Sequence, residues 1–316
     1  MLNLLLRGAA GFEPLAPQVD WRPPPDAIWI DLFRPSREEE LFIEAALGLD
    51  IPTPEEMEQI EPSSRLYQEN GATFITATLL ARAEAGPGPT AVTFILTPAL
   101  LVTVRYEALR AFDVFAQRAH DEETQSSAAA LLGLFDAVIE RLAQVIEQTS
   151  DRVQEVSTRI FERPQRGGFE PLLTDLARAQ SLDSLSRKSL TSLGRALSFA
   201  GLAPQIAGDD TCRSHLKSLQ RDAQSLSEHA GFESGRISFL LDAALGLINI
   251  EQNGIIKFFS VYAVVFLPPT LMASVWGMNF HHMPELDRPW AYPLALTLMV
   301  VSAVVPLWWF RRRGWL

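Results

Sequence analysis

The sequence predicts an α+β domain followed by a long stalk helix and two transmembrane helices. Three observations predict it. Ala291–Phe310, "AYPLALTLMVVSAVVPLWWF", is a run of 20 residues with no charge, and Gly254–Met278 carries a single charge, Lys257. No proline interrupts the chain between Pro204 and Pro268. The β-rich runs are confined to the first third of the chain.

The N-terminal part mixes strands with a helix. "AIWIDLF" (27–33) alternates and is rich in β-formers. Pro35-Ser36 before "REEELFIEAALGL" reads as a capped amphipathic helix with acidic residues in its first turn, where the helix dipole favours them. "RLYQENGATFITATLLARA" (65–83) is two β-runs around Glu69-Asn70-Gly71, a hairpin signal. "TAVTFILTPALLVTVRYE" (90–107) is a second pair around Thr97-Pro98. Residues 126–162 and 169–203 then carry apolar side chains at helical spacing, with "RPQRGG" (163–168) as the turn between them. The start, "MLNLLLRGAAGFEP", does not read as a signal peptide, because its apolar core is short and the arginine follows it.

From Asp209 the helical pattern runs on to Leu267. A helix that long is sensible as a stalk that enters a membrane and becomes the first span. The alternative is two helices with a break near Gly231–Gly235. The expected division is an α/β domain over 1–115, a helical hairpin over 116–205, a stalk helix over 206–252, a first transmembrane helix over 253–278, an outer loop over 279–290, a second transmembrane helix over 291–310 and a basic tail over 311–316.

Each apolar run is long enough for the roughly 30 Å of a bilayer core at about 1.5 Å per residue. Trp290 and Tyr292 flank one end of the second run, and Trp308, Trp309 and Trp315 the other, as interfacial belts require. Arg311, Arg312 and Arg313 follow and place the C-terminus in the cytoplasm by the positive-inside rule. Two spans joined by a short loop form a hairpin, so both termini are expected in the cytoplasm and the loop outside, in an inner or plasma membrane. The other arrangement is a hairpin buried in a soluble core.

Charge divides the chain in the same place. Residues 1–250 carry 22 Lys or Arg against 35 Asp or Glu, and the remainder 5 against 3. An acidic soluble part is a poor partner for nucleic acid. The single cysteine, Cys212, excludes an intramolecular disulfide and a cysteine-based zinc cluster. No Walker A loop, HExxH or GxSxG motif supports a membrane-anchored enzyme. His120, His215 and His229 are scattered and read as helix-surface residues. No enzymatic activity and no resident cofactor are expected.

One stripe on the first span stands out. Alternating steps of three and four from Asn253 visit Ile256, Ser260, Ala263, Leu267, Thr270, Ser274 and Gly277. The opposite side reads Phe258, Phe259, Tyr262, Val265, Phe266, Pro269, Met272 and Trp276. Small and hydroxyl residues on one side suit close helix packing. They also suit a pore, provided several copies surround one axis, since a single hairpin cannot enclose one. Pro268-Pro269 frees the carbonyls of Val264 and Val265.

"YAVVFLPPTLMASVWGMNFHHMPEL" (262–286), a second span and "RRRGWL" (311–316) resemble the CorA family of divalent-cation channels, and "WIDLFRPSREEE" and "IEPSSRLYQENGATFITA" resemble its cytoplasmic domain. The resemblance implies a CorA-like funnel, a homopentamer in a lipid bilayer with first spans lining one central pore. It implies Mg²⁺ as the usual cargo, with Co²⁺ or Ni²⁺ also carried. It assigns Gly277, Met278 and Asn279 to the outer mouth, Asn253 to a deeper polar ring, and Ile256 and Leu267 to apolar constrictions that gate by dewetting. A ring of Asn279 amides offers neutral oxygens to the waters of a hydrated ion, which suits a cation that dehydrates reluctantly. Glu285 and Asp287 would raise the local cation concentration. His281 and His282 stand where many members carry an acidic residue, and imidazole favours Zn²⁺, Ni²⁺ or Co²⁺. A zinc transporter of the ZntB type on the same scaffold is therefore the alternative, although such proteins usually replace the Met-Asn pair. A non-conducting anchor also stays open. Regulatory cytoplasmic ions in the family bind stalk carboxylates, for which Asp209, Asp210 and Asp222 are the candidates here.

Overall fold

The computed structural model describes residues 1–7, 11–18, 21–59, 61, 65–83, 86–118, 126–162, 168–279, 283–284 and 288–315. Two units divide the chain, Met1–Leu241 and Asp242–Leu316.

Among the described residues, seven strands form the sheet of the first unit: β1 (Leu2–Leu6), β2 (Glu13–Leu15), β3 (Ala27–Phe33), β4 (Leu66–Glu69), β5 (Ala72–Ala83), β6 (Gly86–Leu96) and β7 (Leu101–Arg105). Their order is β2-β1-β3-β7-β6-β5-β4, with β3 and β7 parallel at the centre and the other pairs antiparallel. The hairpin expected at Asn70-Gly71 joins β4 to β5. Both residues have positive φ, 50° and 79°, which the primed turn of a two-residue hairpin demands. Residues 90–107 do form the second pair, but β6 begins earlier, at Gly86. Its first part pairs only with β5, through positions that include Pro87 and Pro89. Proline is tolerated there because, among the described residues, the other side of β6 has no partner strand to receive an N–H.

Both faces of the sheet are covered, which is why β3 is buried along almost its whole length. On one face Ile30, Leu32, Phe74, Ile95, Val102 and Val104 meet Ile43 of α1 (Arg37–Leu47) and Met57 of α2 (Pro54–Glu58). Helix α1 starts as its sequence indicates. Ser36 and Glu39 form a capping box, and Gly48 closes the other end with φ 66°. On the other face Trp29, Ile75, Leu79 and Phe94 pack against α3 (Arg110–Arg118), α4 (Ser127–Phe161) and α5 (Glu170–Ala200). A buried polar chain crosses the parallel pair: Trp29 Nε1 donates to Thr103 Oγ1 at 2.9 Å, and that hydroxyl donates to Asp31 at 2.7 Å. Arg105 adds a bidentate pair to Asp31, with Nη2 at 2.9 Å from Oδ2.

Helix α5 also closes an exposed sheet edge. Strand β4 pairs β5 only as far as Ile75. Beyond it, the N–H groups of Thr78 and Leu80 donate to the hydroxyls of Ser192 and Ser189 at 2.8 and 3.2 Å. A short α6 (Pro204–Ala207) turns the chain into α7, Asp210–Trp276, a single helix of 67 residues. Gly231 and Gly235 lie inside it, so the chain does not break there. Leu216, Leu219, Ala223 and Ala230 of α7 join the same core.

Candidate functional site

In the second unit, the end of α7 and α8 (Ala291–Arg312) form an antiparallel hairpin. Val261 and Val265 of α7 pack on Phe310 and Ala303 of α8, and Lys257 Nζ stands 5.7 Å from the Trp315 ring. The two helices are long and apolar enough to cross a membrane. Within α7, the buried or half-buried residues of this stretch are Val261, Val265, Pro268, Pro269, Met272 and Trp276. On α8 they are Ala291, Ala295, Met299, Ser302, Ala303, Pro306 and Phe310. Both sets step by three or four, as a helix–helix seam does.

That seam decides the phase of α7. At about 100° per residue, Asn253, Ile256, Ser260, Ala263, Leu267, Thr270, Ser274 and Gly277 fall on the side away from α8, and all of them are exposed. So the stripe of small and polar residues is not the surface that α8 covers. The bulky side is divided. Val265, Pro269, Met272 and Trp276 face α8, while Phe258, Phe259, Tyr262 and Phe266 are exposed. The Thr270 hydroxyl donates to the Phe266 carbonyl at 2.6 Å, so its donor is used within its own helix and its lone pairs remain outward.

Helix α7 ends at the expected triplet. The Gly277 N–H donates to Ala273 O at 2.9 Å, and the Met278 N–H to Val275 O at 3.4 Å. A side chain at position 277 would meet backbone, since a Cβ there would lie 2.9 Å from Ala273 O. Glycine at 277 is therefore a steric requirement of the tightened last turn, not a left-handed conformation. Met278 and Asn279 are exposed beyond it. His281, His282, Glu285, Asp287 and His120 lie outside the described residues.

The stalk carboxylates do not converge within one chain. Asp209 caps α7: its Oδ1 accepts from the N–H of Thr211 at 2.7 Å and of Cys212 at 3.2 Å, and these bonds hold its carboxyl below the usual range. Asp210 pairs with Arg213. Asp222, roughly 18 Å further along the helix at about 1.5 Å per residue, accepts from Ser218 Oγ at 3.5 Å. Among the described residues no group of three or more His, Cys, Asp or Glu side chains is arranged to hold a metal. His215 and His229 are exposed on α7. A feature that sequence spacing gave no hint of is a buried acidic pair in the first unit, Asp183 of α5 and Glu233 of α7, each 3% exposed. Fifty residues separate them in sequence, so no local pattern brings them together.

The chain matches the model of the CorA-like Mg²⁺ transporter protein family over residues 25–312. It is 37% identical, over 92% of both chains, to the magnesium transport protein CorA of Pasteurella multocida. The complete structure of the CorA magnesium transporter from Methanocaldococcus jannaschii superposes with a TM-score of 0.78 at 17% identity, covering 100% of this chain and 99% of that one. The ZntB cytoplasmic domain from Vibrio parahaemolyticus covers 79% of this chain and 98% of its own, with a TM-score of 0.59 at 9% identity. A family match over nearly the whole length, with relatives this similar over the same span, makes the chain a member of the CorA-like Mg²⁺ transporter family.

Proposed function

We propose that the chain is a membrane transporter of divalent cations, that Mg²⁺ is its cargo, and that five copies surround one path lined by α7. The observation that carries this reading is the free side of α7. In a bilayer, Asn253, Ser260 and Ser274 need water or polar neighbours. Helix α8 packs on the opposite side, so further copies of the chain are the natural cover for the stripe. Asn279, exposed past the steric stop at Gly277, then forms a collar of neutral amides. Such a collar binds the waters of a hydrated ion weakly enough for release. Ile256 and Leu267 supply the narrow apolar stretches, and Arg311–Arg313 hold both termini on the cytoplasmic side. Co²⁺ and Ni²⁺ fit the same collar.

Mg²⁺ is favoured over Zn²⁺ by the names of the relatives that are similar over 92% of the chain, whereas the ZntB likeness shows the fold alone. The test is cation uptake into vesicles containing the full chain, with Mg²⁺, Co²⁺, Ni²⁺ and Zn²⁺ compared. Asn279→Ala is expected to abolish the preference for Mg²⁺, and uptake unchanged by it would refute the collar. If replacing His281 and His282 by alanine moved selectivity away from Zn²⁺, the transition-metal reading would win.

A further inference from the structure

The buried pair of the first unit is not used by the function above. Asp183 sits on α5 with Gln180, Ser186 and Arg187 within one turn of it, and Glu233 sits on α7 with His229, Ser234 and Arg236. Gln180 Nε2 reaches Ser234 Oγ at 3.3 Å, which ties the two helices at this point. Arg236 holds Glu233 Oε1 at 3.7 Å and donates to Gln154 of α4. Among the described residues, four buried oxygens here have no hydrogen-bond partner: Gln180 Oε1, Asp183 Oδ2, Ser186 Oγ and Glu233 Oε2. A buried acceptor without a donor is costly, and three of the four are acceptors only, the Ser186 hydroxyl alone carrying a proton.

We propose that Asp183 and Glu233 form a proton-binding site between α5 and α7, in which one proton taken up from water by Asp183 fastens the two helices together. The proton turns one of these acceptors, Asp183 Oδ2, into a donor, and it removes the repulsion between two buried carboxylates. Loss of the proton leaves two negative charges with Arg236 on Glu233 and with Arg187 and His229 facing Asp183. Burial pushes the Asp183 carboxyl up to about 6; Glu233 adds to the rise, and Arg187, Ser234 and His229 oppose it. The site therefore changes state in the mildly acidic range. Arg187 and His229 are themselves exposed to solvent.

Hydrogen exchange of the full chain in detergent, corrected for the intrinsic pH dependence of exchange, tests the site. Peptides covering 176–190 and 226–240 are expected to lose protection by at least about threefold between pH 5 and pH 8. Asp183→Asn, whose amide supplies a permanent donor, is expected to keep the acid-level protection at every pH, and Glu233→Gln to abolish the step independently. His229→Gln is expected to retain it. The proposal is overturned by a wild-type protein without the step, by a step that survives in either Asp183→Asn or Glu233→Gln, or by one lost in His229→Gln. It is equally overturned if protection follows Mg²⁺ against chelator at constant pH, which would make the pair a metal site.

Discussion

Replacing Gly277 by alanine tests whether the mouth of the proposed path is set by sterics. The added methyl would lie 2.9 Å from the Ala273 carbonyl oxygen, which is backbone and cannot rotate away as a side-chain tip can. That oxygen already accepts the Gly277 N–H at 2.9 Å, so relief requires the last turn to open and this bond to lengthen. Overpacking of this kind costs about 1–3 kcal/mol. If the strain is expressed as loss of the wound mouth, the equilibrium constant in favour of the wound state falls by roughly 5- to 150-fold at 1.4 kcal/mol per tenfold. The matched control is Gly194→Ala in α5, where an added methyl meets nothing within 4 Å. There the same substitution is expected to stabilise by about 0.5–1 kcal/mol, since alanine loses less entropy than glycine in a helix. Mg²⁺ uptake into vesicles and thermal unfolding in detergent should be read on both variants. Wild-type uptake by Gly277→Ala would refute the steric account of the triplet, and equal effects of the two substitutions would refute the distinction between their surroundings.

Three further outcomes follow from the first unit. Gly133→Ala would put a methyl 2.4 Å from the Phe115 ring, which Trp29 hems in at 5.6 Å; a loss of about 1–3 kcal/mol is expected in denaturant unfolding, and a neutral result would show that the ring yields freely. Asp31→Ala leaves the Arg105 guanidinium buried without its carboxylate and is expected to cost about 3–5 kcal/mol, whereas the Arg34→Ala change at an exposed pair with Glu107 should cost under about 1 kcal/mol. The third outcome concerns pH. Because the folded-state value of Asp183 is raised from 3.8 to about 6, the native state binds more protons between these values. Stability therefore falls as pH rises through that window, and the penalty above it is at most about 3 kcal/mol at 1.36 kcal/mol per unit. Asp183→Asn should accordingly unfold at higher temperature than wild type at pH 8 and equally at pH 4; a gain of the same size at both pH values would show that the carboxyl does not titrate there.

Some elements were readable because their signals are local. Ser36 with Glu39, Asn70-Gly71 and the uncharged run before Arg311 each contain within a few residues the physics that produces a cap, a turn or a span. β1 was not readable. "LNLLL" has no alternation, and it is a strand because Leu2 pairs with Leu32 and Leu4 with Ile30. The serines of α5 carry no local signal of their role, yet Ser189 and Ser192 cap the edge of a strand more than a hundred residues earlier.

The polar and apolar order along 253–277 is written in the sequence, because a helix repeats every 3.6 residues whatever surrounds it. The choice between a stripe that packs and a stripe left free is not, because it depends on which face of α7 the later helix α8 occupies. Val261, Val265 and Phe310 make that choice by burying each other, a contact between residues more than forty positions apart. The meeting of Asp183 with Glu233 has the same origin: secondary structure is set by neighbours in sequence, while burial and the pairing of charges are set by neighbours in space.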